Sequence, residues 1–380
     1  MSSGKSFLFL SLKESCRLSC CSMQLSSLVS KGIAWALSGV RFRSTPKVEK
    51  VDQNSVQNVL LISLTNIGDV VNLRPFLKSF RQCFPRSKVT LLSKDACRTL
   101  VRSYAEVDEC EFYTPPWLGG SRYFMLLRFV RVVIHMRRAK YDLAIVTHPK
   151  IFNNFFCSLL RADVRVGFTD QEQFFNFPIA VSKEVKPACE YPLDLLRGMG
   201  FVFKPELKEL DVDEALKLEA SKLISDRESM TTVALHLRAS VDYKGYDLDF
   251  CACLLKSVLK LSHSQVELIG SKDDAAFNEL LIKRMSEVEQ KRITNRAGAF
   301  ALDALAAFLS NCDLYIGLDS GPMHIADALN LPVLALFRAS DPKVWGPIRN
   351  SESKVFLFDG SEEESVVASL IEDAVRRVVK

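Results

Sequence analysis

Residues 313–324 read Asp313-Leu-Tyr-Ile-Gly-Leu-Asp319-Ser320-Gly321-Pro322-Met323-His324. An apolar strand runs directly into a polar turn carrying glycine and proline, and a helix-like stretch, Ile325 to Leu329, follows. That order sets a carboxylate, a hydroxyl and backbone N–H groups at the carboxyl end of a buried strand, where open α/β sheets bind ligands. A helix N-terminus there suits a phosphate, because its first N–H groups have no partner inside the helix. The stretch points to an α/β protein with a site for an anionic, nucleotide-linked ligand.

The same rhythm runs outward in both directions. Upstream, Asn58–Ser63 is a continuous apolar run of the kind found in a central parallel strand. Helical spacing over Val70–Phe84 follows, closed by Pro85. Strand Lys88–Ser93, helix Asp95–Tyr104, a short strand at Glu111–Tyr113, helix Arg122–Arg138 and strand Tyr141–Thr147 continue the alternation. Residues 170–215 interrupt it with Pro178, Pro187, Pro192 and Pro205. Alternation then resumes through strand Thr232–Leu237, helix Leu248–Leu261, strand Gln265–Gly270, helix Ala275–Val288 and a short strand near Arg292–Thr294. Helix Leu302–Asn311, strand Leu314–Leu318, helix Met323–Leu329, strand Pro332–Phe337 and a closing helix, Glu362–Val379, complete it. A βαβα order predicts parallel sheets covered on both faces. The reading is two such domains, 51–205 and 206–361, with a cleft between their strand ends, a basic arm at 1–50 and a C-terminal helix at 362–380.

Length and charge agree with this division. A chain of 380 residues is long for one core. Its net charge of +5 is concentrated in residues 1–50, which hold eight Lys/Arg and two Glu, while the remainder is close to neutral. Basicity confined to an arm gives no case for a nucleic-acid partner. The arm reads as a targeting peptide, a membrane-surface helix around Leu25–Val40, or disorder. Eleven cysteines is an odd count without framework or zinc spacing, so reduced thiols are expected. No apolar run is long enough to span a bilayer.

Three loops hold residues suited to chemistry. In Leu64-Thr-Asn-Ile-Gly68-Asp69, Gly68 admits close approach, and Asp69 is either a helix-capping carboxylate or a general base at a strand end. The run lacks G-x-G-x-x-G, so no dinucleotide fingerprint is present. After strand Thr232–Leu237 come Arg238, Ser240, Lys244, Gly245 and Tyr246. There Lys244 and Ser240 suit a pyrophosphate, or are simply solvated loop residues. The third loop is Asp319 to His324, where Asp319 or Ser320 can cap the helix, Gly321 allows close backbone approach and His324 lies in the first turn. Two D-x-D pairs, Asp211/Asp213 and Asp247/Asp249, match metal-holding pairs in some sugar transferases. Their positions read as structural, the second at a helix start. The basic helix Arg122–Lys140, with Arg122, Arg128 and Arg131, is a solvated face or a contact for a phosphorylated acceptor or an anionic membrane.

Taken together, these pieces resemble glycosyltransferase family 9, the ADP-heptose:lipopolysaccharide heptosyltransferases. The resemblance rests on Asn58 to Val71 with Arg74-Pro75 and Phe84-Pro85, on His236 to Tyr246 with Leu268 to Asp273, and on the block from Ala297-Gly298 through Asp319 to His324, Asp341-Pro342 and Trp345-Gly-Pro347. It covers roughly residues 57–380. It implies a GT-B fold of two Rossmann-like domains with the C-terminal helix crossing back, the acceptor on the first domain and the nucleotide sugar on the second. It also implies an inverting, metal-independent transfer of heptose from ADP-heptose to a lipid-linked lipopolysaccharide core, with no cofactor, on the cytoplasmic face of the membrane. By this resemblance Asp69 is the general base and Lys244, with Ser240 nearby, meets the donor phosphates. Asp319, Ser320, Gly321 and His324 form the donor motif, and Asp273 lies near the donor ribose. Arg338-Ala-Ser340 and the loop Leu237 to Lys244 depart from the family pattern, which bears on the donor more than on the fold. The alternatives are another nucleotide sugar for a different surface glycan, a non-catalytic nucleotide-sugar binding protein, and a two-domain NAD oxidoreductase, which the missing glycine fingerprint disfavours.

Overall fold

The computed structural model describes residues 47–115, 122–168, 174–207, 210–224, 230–238, 245–261, 263–359, 362 and 364–378, with 122–126, 364 and 378 described by backbone alone. Twelve strands among them form two six-stranded sheets. The first holds β1 Asn58–Ser63, β2 Lys88–Ser93, β3 Glu109–Phe112, β4 Tyr141–Val146, β5 Ala162–Phe168 and β6 Phe177–Ile179. The second holds β7 Thr231–His236, β8 Ser264–Leu268, β9 Ile293–Asn295, β10 Leu314–Leu318, β11 Val333–Phe337 and β12 Lys354–Leu357. Every pairing is parallel.

The strand orders are β3-β2-β1-β4-β5-β6 and β12-β11-β10-β7-β8-β9. Counted within each sheet, both are the doubly wound order 3-2-1-4-5-6. The order reverses between β1 and β4 in one sheet and between β7 and β10 in the other. A crevice opens at such a reversal because the flanking connections leave in opposite directions. Central strands are apolar on both faces: Val59, Leu60, Leu61 and Ile62 of β1 are all fully buried. Each such side chain stabilises the fold by about 1.5–3 kcal/mol.

The helices are α1 Ile67–Val71, α2 Arg74–Cys83, α3 Arg98–Arg102, α4 Arg122–Ala139, α5 Ile151–Ser158, α6 Leu193–Gly198 and α7 Glu214–Ser221. They continue as α8 Leu248–Leu259, α9 Ala275–Ile282, α10 Glu287–Gln290, α11 Leu302–Leu309, α12 Gly321–Ala328, α13 Pro342–Trp345 and α14 Glu364–Val378. Two expected helices are split. Val70–Phe84 breaks after Val71 because Pro75 sits at the second position of a new helix, where its missing N–H costs nothing. Ala275–Val288 breaks because Ser286 caps α10, and Glu289 returns a carboxylate oxygen to the Ser286 N–H at 2.8 Å. The elements α5, β5, β6, α6, α7, α13 and β12 have no counterpart in the sequence reading.

The two sheets are not separate cores. One apolar cluster joins Val70, Phe76, Leu100 and Val101 of the first to Leu305, Phe308, Met323 and Ile325 of the second. Arg74 on α2, buried under the Tyr104 ring, adds an ion pair to Asp211 at 2.6 Å. The closing helix α14, expected to cross back, seats Val367, Ile371, Ala374 and Val375 in the core of the second sheet. Its Glu372 meets Lys260 just beyond α8. Among the described residues no helix is long and apolar enough to cross a membrane. Cys83, Cys97, Cys157, Cys189, Cys251 and Cys312 are buried free thiols.

Candidate active site

The first turns of α1 and α12 touch. A Cβ on Gly68 would lie 2.3 Å from Cδ2 of His324, and one on Gly321 would lie 2.9 Å from Cβ of Ile67. Real Cβ atoms do not approach ring or side-chain atoms so closely, so both positions require glycine for contact rather than for a special φ. The strand ends of one sheet therefore meet those of the other at this point.

Asp69 is the third residue of α1 and is 7% exposed. The cap itself is Asn66, whose backbone N–H donates to Asp69 Oδ2 at 3.0 Å. The capping and functional readings of Asp69 thus fall on different oxygens. Its other oxygen, Oδ1, lies 3.8 Å from Nε2 of His148, which follows β4. Lys94, just after β2, donates to Asn66 Oδ1 at 3.1 Å. Burial lowers its pKa, while Asp69 works in the opposite direction. Three adjacent strand ends, β2, β1 and β4, thus set Lys94 and His148 around Asp69, with Lys150 acting on both of them. The sequence reading missed all three, because a lone lysine or histidine after a strand has no local signature.

The switch point of the second sheet is built alike. Ser320 caps α12 by position only. Its hydroxyl donates to Leu318 O at 3.1 Å and accepts from Nδ1 of His236, the last residue of β7, at 3.1 Å. The carbonyl can only accept, so the hydroxyl proton goes there and the imidazole carries its proton on Nδ1. The Ser320 side chain therefore does not cap the first turn of α12, a helix start suited to an anion. Asp319 is buried, accepts from the Ser340 hydroxyl and lies 3.5 Å from His324 Nε2. His324 is also buried; its Nδ1 accepts from Asn72 Nδ2 of the first domain at 3.3 Å, and its ring meets Trp345 edge-on. It is an interdomain residue, not one facing an open cleft.

Ser240 and Lys244 lie outside the described residues. Asp273 is exposed; its neighbour Asp274 takes the bonded role, accepting from Ser271 N at 2.7 Å and lying 3.5 Å from Arg238. Arg122 opens α4, and its side chain is outside the described set. Arg128 pairs with Asp95 at 2.8 Å, while Arg131 is exposed. Both D-x-D pairs are occupied. Asp211 holds Arg74, Asp213 caps α7, Asp247 caps α8 and Asp249 pairs with Arg284.

Burial pushes the His236 imidazole down to about 4 from 6.5. Below pH 6.5 the unfolded chain takes up a proton that the folded chain refuses until about pH 4, so stability falls as pH falls through that window. The expected loss from this residue is about 2 kcal/mol by pH 5. Urea unfolding at pH 7 and pH 5 should show His236→Asn losing less stability than the wild type by that amount. Equal losses would contradict the buried neutral imidazole.

Two Rossmann-type sheets meet here at their strand ends, one presenting a carboxylate and the other a helix start, which is the layout of a GT-B glycosyltransferase. The chain belongs to glycosyltransferase family 9 (heptosyltransferase), whose model matches residues 129–373. Lipopolysaccharide heptosyltransferase 3 of Escherichia coli is 41% identical over 303 residues, covering 78% of this chain and 87% of that protein. Lipopolysaccharide heptosyltransferase 2 of E. coli K12 is 26% identical over 345 residues, covering 85% and 96%. The solved structure of E. coli ADP-heptose LPS heptosyltransferase II superposes with a TM-score of 0.69 at 19% identity, covering 84% of this chain and 99% of that one.

Proposed function

We propose that the protein transfers heptose from ADP-heptose to a lipid-linked lipopolysaccharide core acceptor, with inversion and without a metal, on the cytoplasmic face of the membrane. The observation that supports this reading most is the contact of Gly68 with His324, which sets the first turn of α1, carrying Asp69, against that of α12. Asp69 Oδ1 takes the proton of the acceptor hydroxyl as that oxygen attacks the anomeric carbon. The transition state has oxocarbenium character, and the departing ADP gathers negative charge. The first-turn N–H groups of α12 and Lys244 stabilise that charge. Lys94 beside Asp69, with Lys150 near it, favours an anionic acceptor.

The outer face of α4 supports a membrane-borne acceptor. Leu127, Val130 and Ile134 are 42%, 43% and 47% exposed and share that face with Arg131 and Arg138. Aliphatic side chains among arginines suit an anionic lipid surface.

The test is a nucleotide-sugar screen on an acceptor held in anionic vesicles, run in EDTA. Turnover is expected with ADP-heptose, undiminished by the chelator. Lys244→Ala should weaken ADP binding measured by calorimetry, and Arg131→Glu with Ile134→Ser should weaken vesicle binding alone. Turnover only with another nucleotide sugar would replace the donor. Loss in EDTA restored by Mg²⁺ or Mn²⁺ would overturn metal independence.

A further inference from the structure

Each domain carries the same small device at its switch point. In the second, a histidine gives its Nδ1 proton to a hydroxyl that is tied to a strand carbonyl. In the first, Thr147 takes the hydroxyl's place: its Oγ1 donates to Ile62 O at 3.1 Å, and His148 Nδ1 lies 3.1 Å from that Oγ1. The carbonyl claims the hydroxyl proton, so His148 must donate from Nδ1. Its Nε2 then carries a lone pair, aimed at Asp69 Oδ1 3.8 Å away. Two acceptors face each other across a gap longer than a hydrogen bond, as expected while neither carries a proton to share; a proton on Oδ1 gives them one. Oδ1 is the oxygen not engaged by Asn66 N.

We propose that His148 is the positioning residue and proton partner of Asp69, its Nε2 receiving the proton that Asp69 Oδ1 takes from the acceptor hydroxyl. This rests on the reading of Asp69 as the base. The step balances within the reaction. The acceptor oxygen forms its bond to the anomeric carbon, and the bond from that carbon to the diphosphate oxygen breaks with its electron pair leaving on ADP. The hydroxyl proton passes to Oδ1 and then to Nε2, leaving a carboxylate beside an imidazolium. Burial and Lys150 both disfavour that imidazolium, while Asp69 favours it. The charged neighbours are thus Asp69 from α1, Lys150 from its own segment, and Lys94 after β2, which acts on Asp69. Once product leaves, the imidazolium returns its proton to solvent, and the carboxylate with its neutral imidazole is restored. A residue that accepts from Asp69 keeps the base from holding its proton into the next turnover.

The test compares kcat, KM for donor and acceptor, and pH profiles of His148→Ala, His148→Gln and Asp69→Asn in the full chain. His148→Ala should lower kcat about 10²-fold, in the range of general acid–base contributions, with donor KM little changed. Added imidazole should restore activity to His148→Ala in proportion to its neutral form. The acid limb of kcat should shift in His148→Gln, where the imidazole no longer titrates. Rescue or the shifted limb supports the role. Wild-type kcat in His148→Gln overturns it. A loss with neither rescue nor a shifted limb overturns it as well, since packing alone would account for it. If Asp69→Asn transfers at the wild-type rate, the base reading itself falls. If Asp69→Asn is inactive while His148→Gln is normal, only the role of His148 falls.

Discussion

Asp69→Asn should lower the rate of sugar transfer about 10²–10⁴-fold, the range of a positioned general base, with ADP affinity nearly unchanged. The substitution is mild for the fold. Asn66 N donates to Oδ2, and an asparagine carbonyl oxygen can accept the same bond, so the start of α1 stays capped. What is lost is the basic oxygen on the His148 side. The amide has no affinity for the acceptor's proton, so the nucleophile must attack as a neutral hydroxyl. The proposed donor motif leads into α12 and keeps its own contacts through Ser320, Asp319 and His324. Steady-state kinetics with calorimetry on the same sample separates the two effects. A wild-type kcat would remove Asp69 from the chemistry, and a parallel loss of ADP binding would mean that the variant had damaged the donor half instead.

Asp327→Ala should destabilise the protein by about 3–5 kcal/mol, the usual result of stripping one partner from a buried ion pair. Asp327 lies on α12 and is 2% exposed. Its Oδ1 accepts from the backbone N–H groups of Ile348 and Arg349, both at 2.9 Å, and its Oδ2 accepts from Arg349 Nη1 at 2.6 Å. The Arg349 side chain is 4% exposed, so alanine leaves a guanidinium and two amides without a partner and without water. The same helix begins with the proposed donor motif, so on that reading a loosened α12 should also weaken ADP binding, unlike Asp69→Asn. Urea unfolding measures the first effect and calorimetry the second. A loss below about 1 kcal/mol would place this pair among the weak ones typical of exposed surfaces.

Much of this architecture was open to sequence reasoning because central parallel strands are buried on both faces and read as unbroken apolar runs. Asn58–Ser63, Lys88–Ser93 and Leu314–Leu318 appear in the structure with the expected bounds. The edge strands β3 and β9 were also legible, but β5, β6 and β12 did not show. Ala162–Phe168 carries Asp163 and Arg165 within it, and Lys354–Leu357 is a short edge strand with an exposed leucine. Helix breaks at Pro75 and Ser286 were hidden because apolar spacing continues across them.

The site divides along the same line. Asp69 and the Asp319 to His324 stretch announce themselves by lying between an apolar run and a helix start. His148 does not, since its meaning comes from β4 lying beside β1, a pairing between distant segments. His324 was legible as a first-turn histidine, but its engagement of Asn72 across the domain interface was not.

Family membership and fold leave the reaction itself to be measured. Purified protein should be given ADP-heptose and a heptose-deficient lipid-linked core acceptor in EDTA, and the anomeric configuration of the product should be read by NMR. Heptose joined to the acceptor with configuration opposite to the donor is the predicted result, as a single displacement assisted by Asp69 requires. A product that keeps the donor's configuration, or donor bound without transfer across a panel of such acceptors, would contradict it.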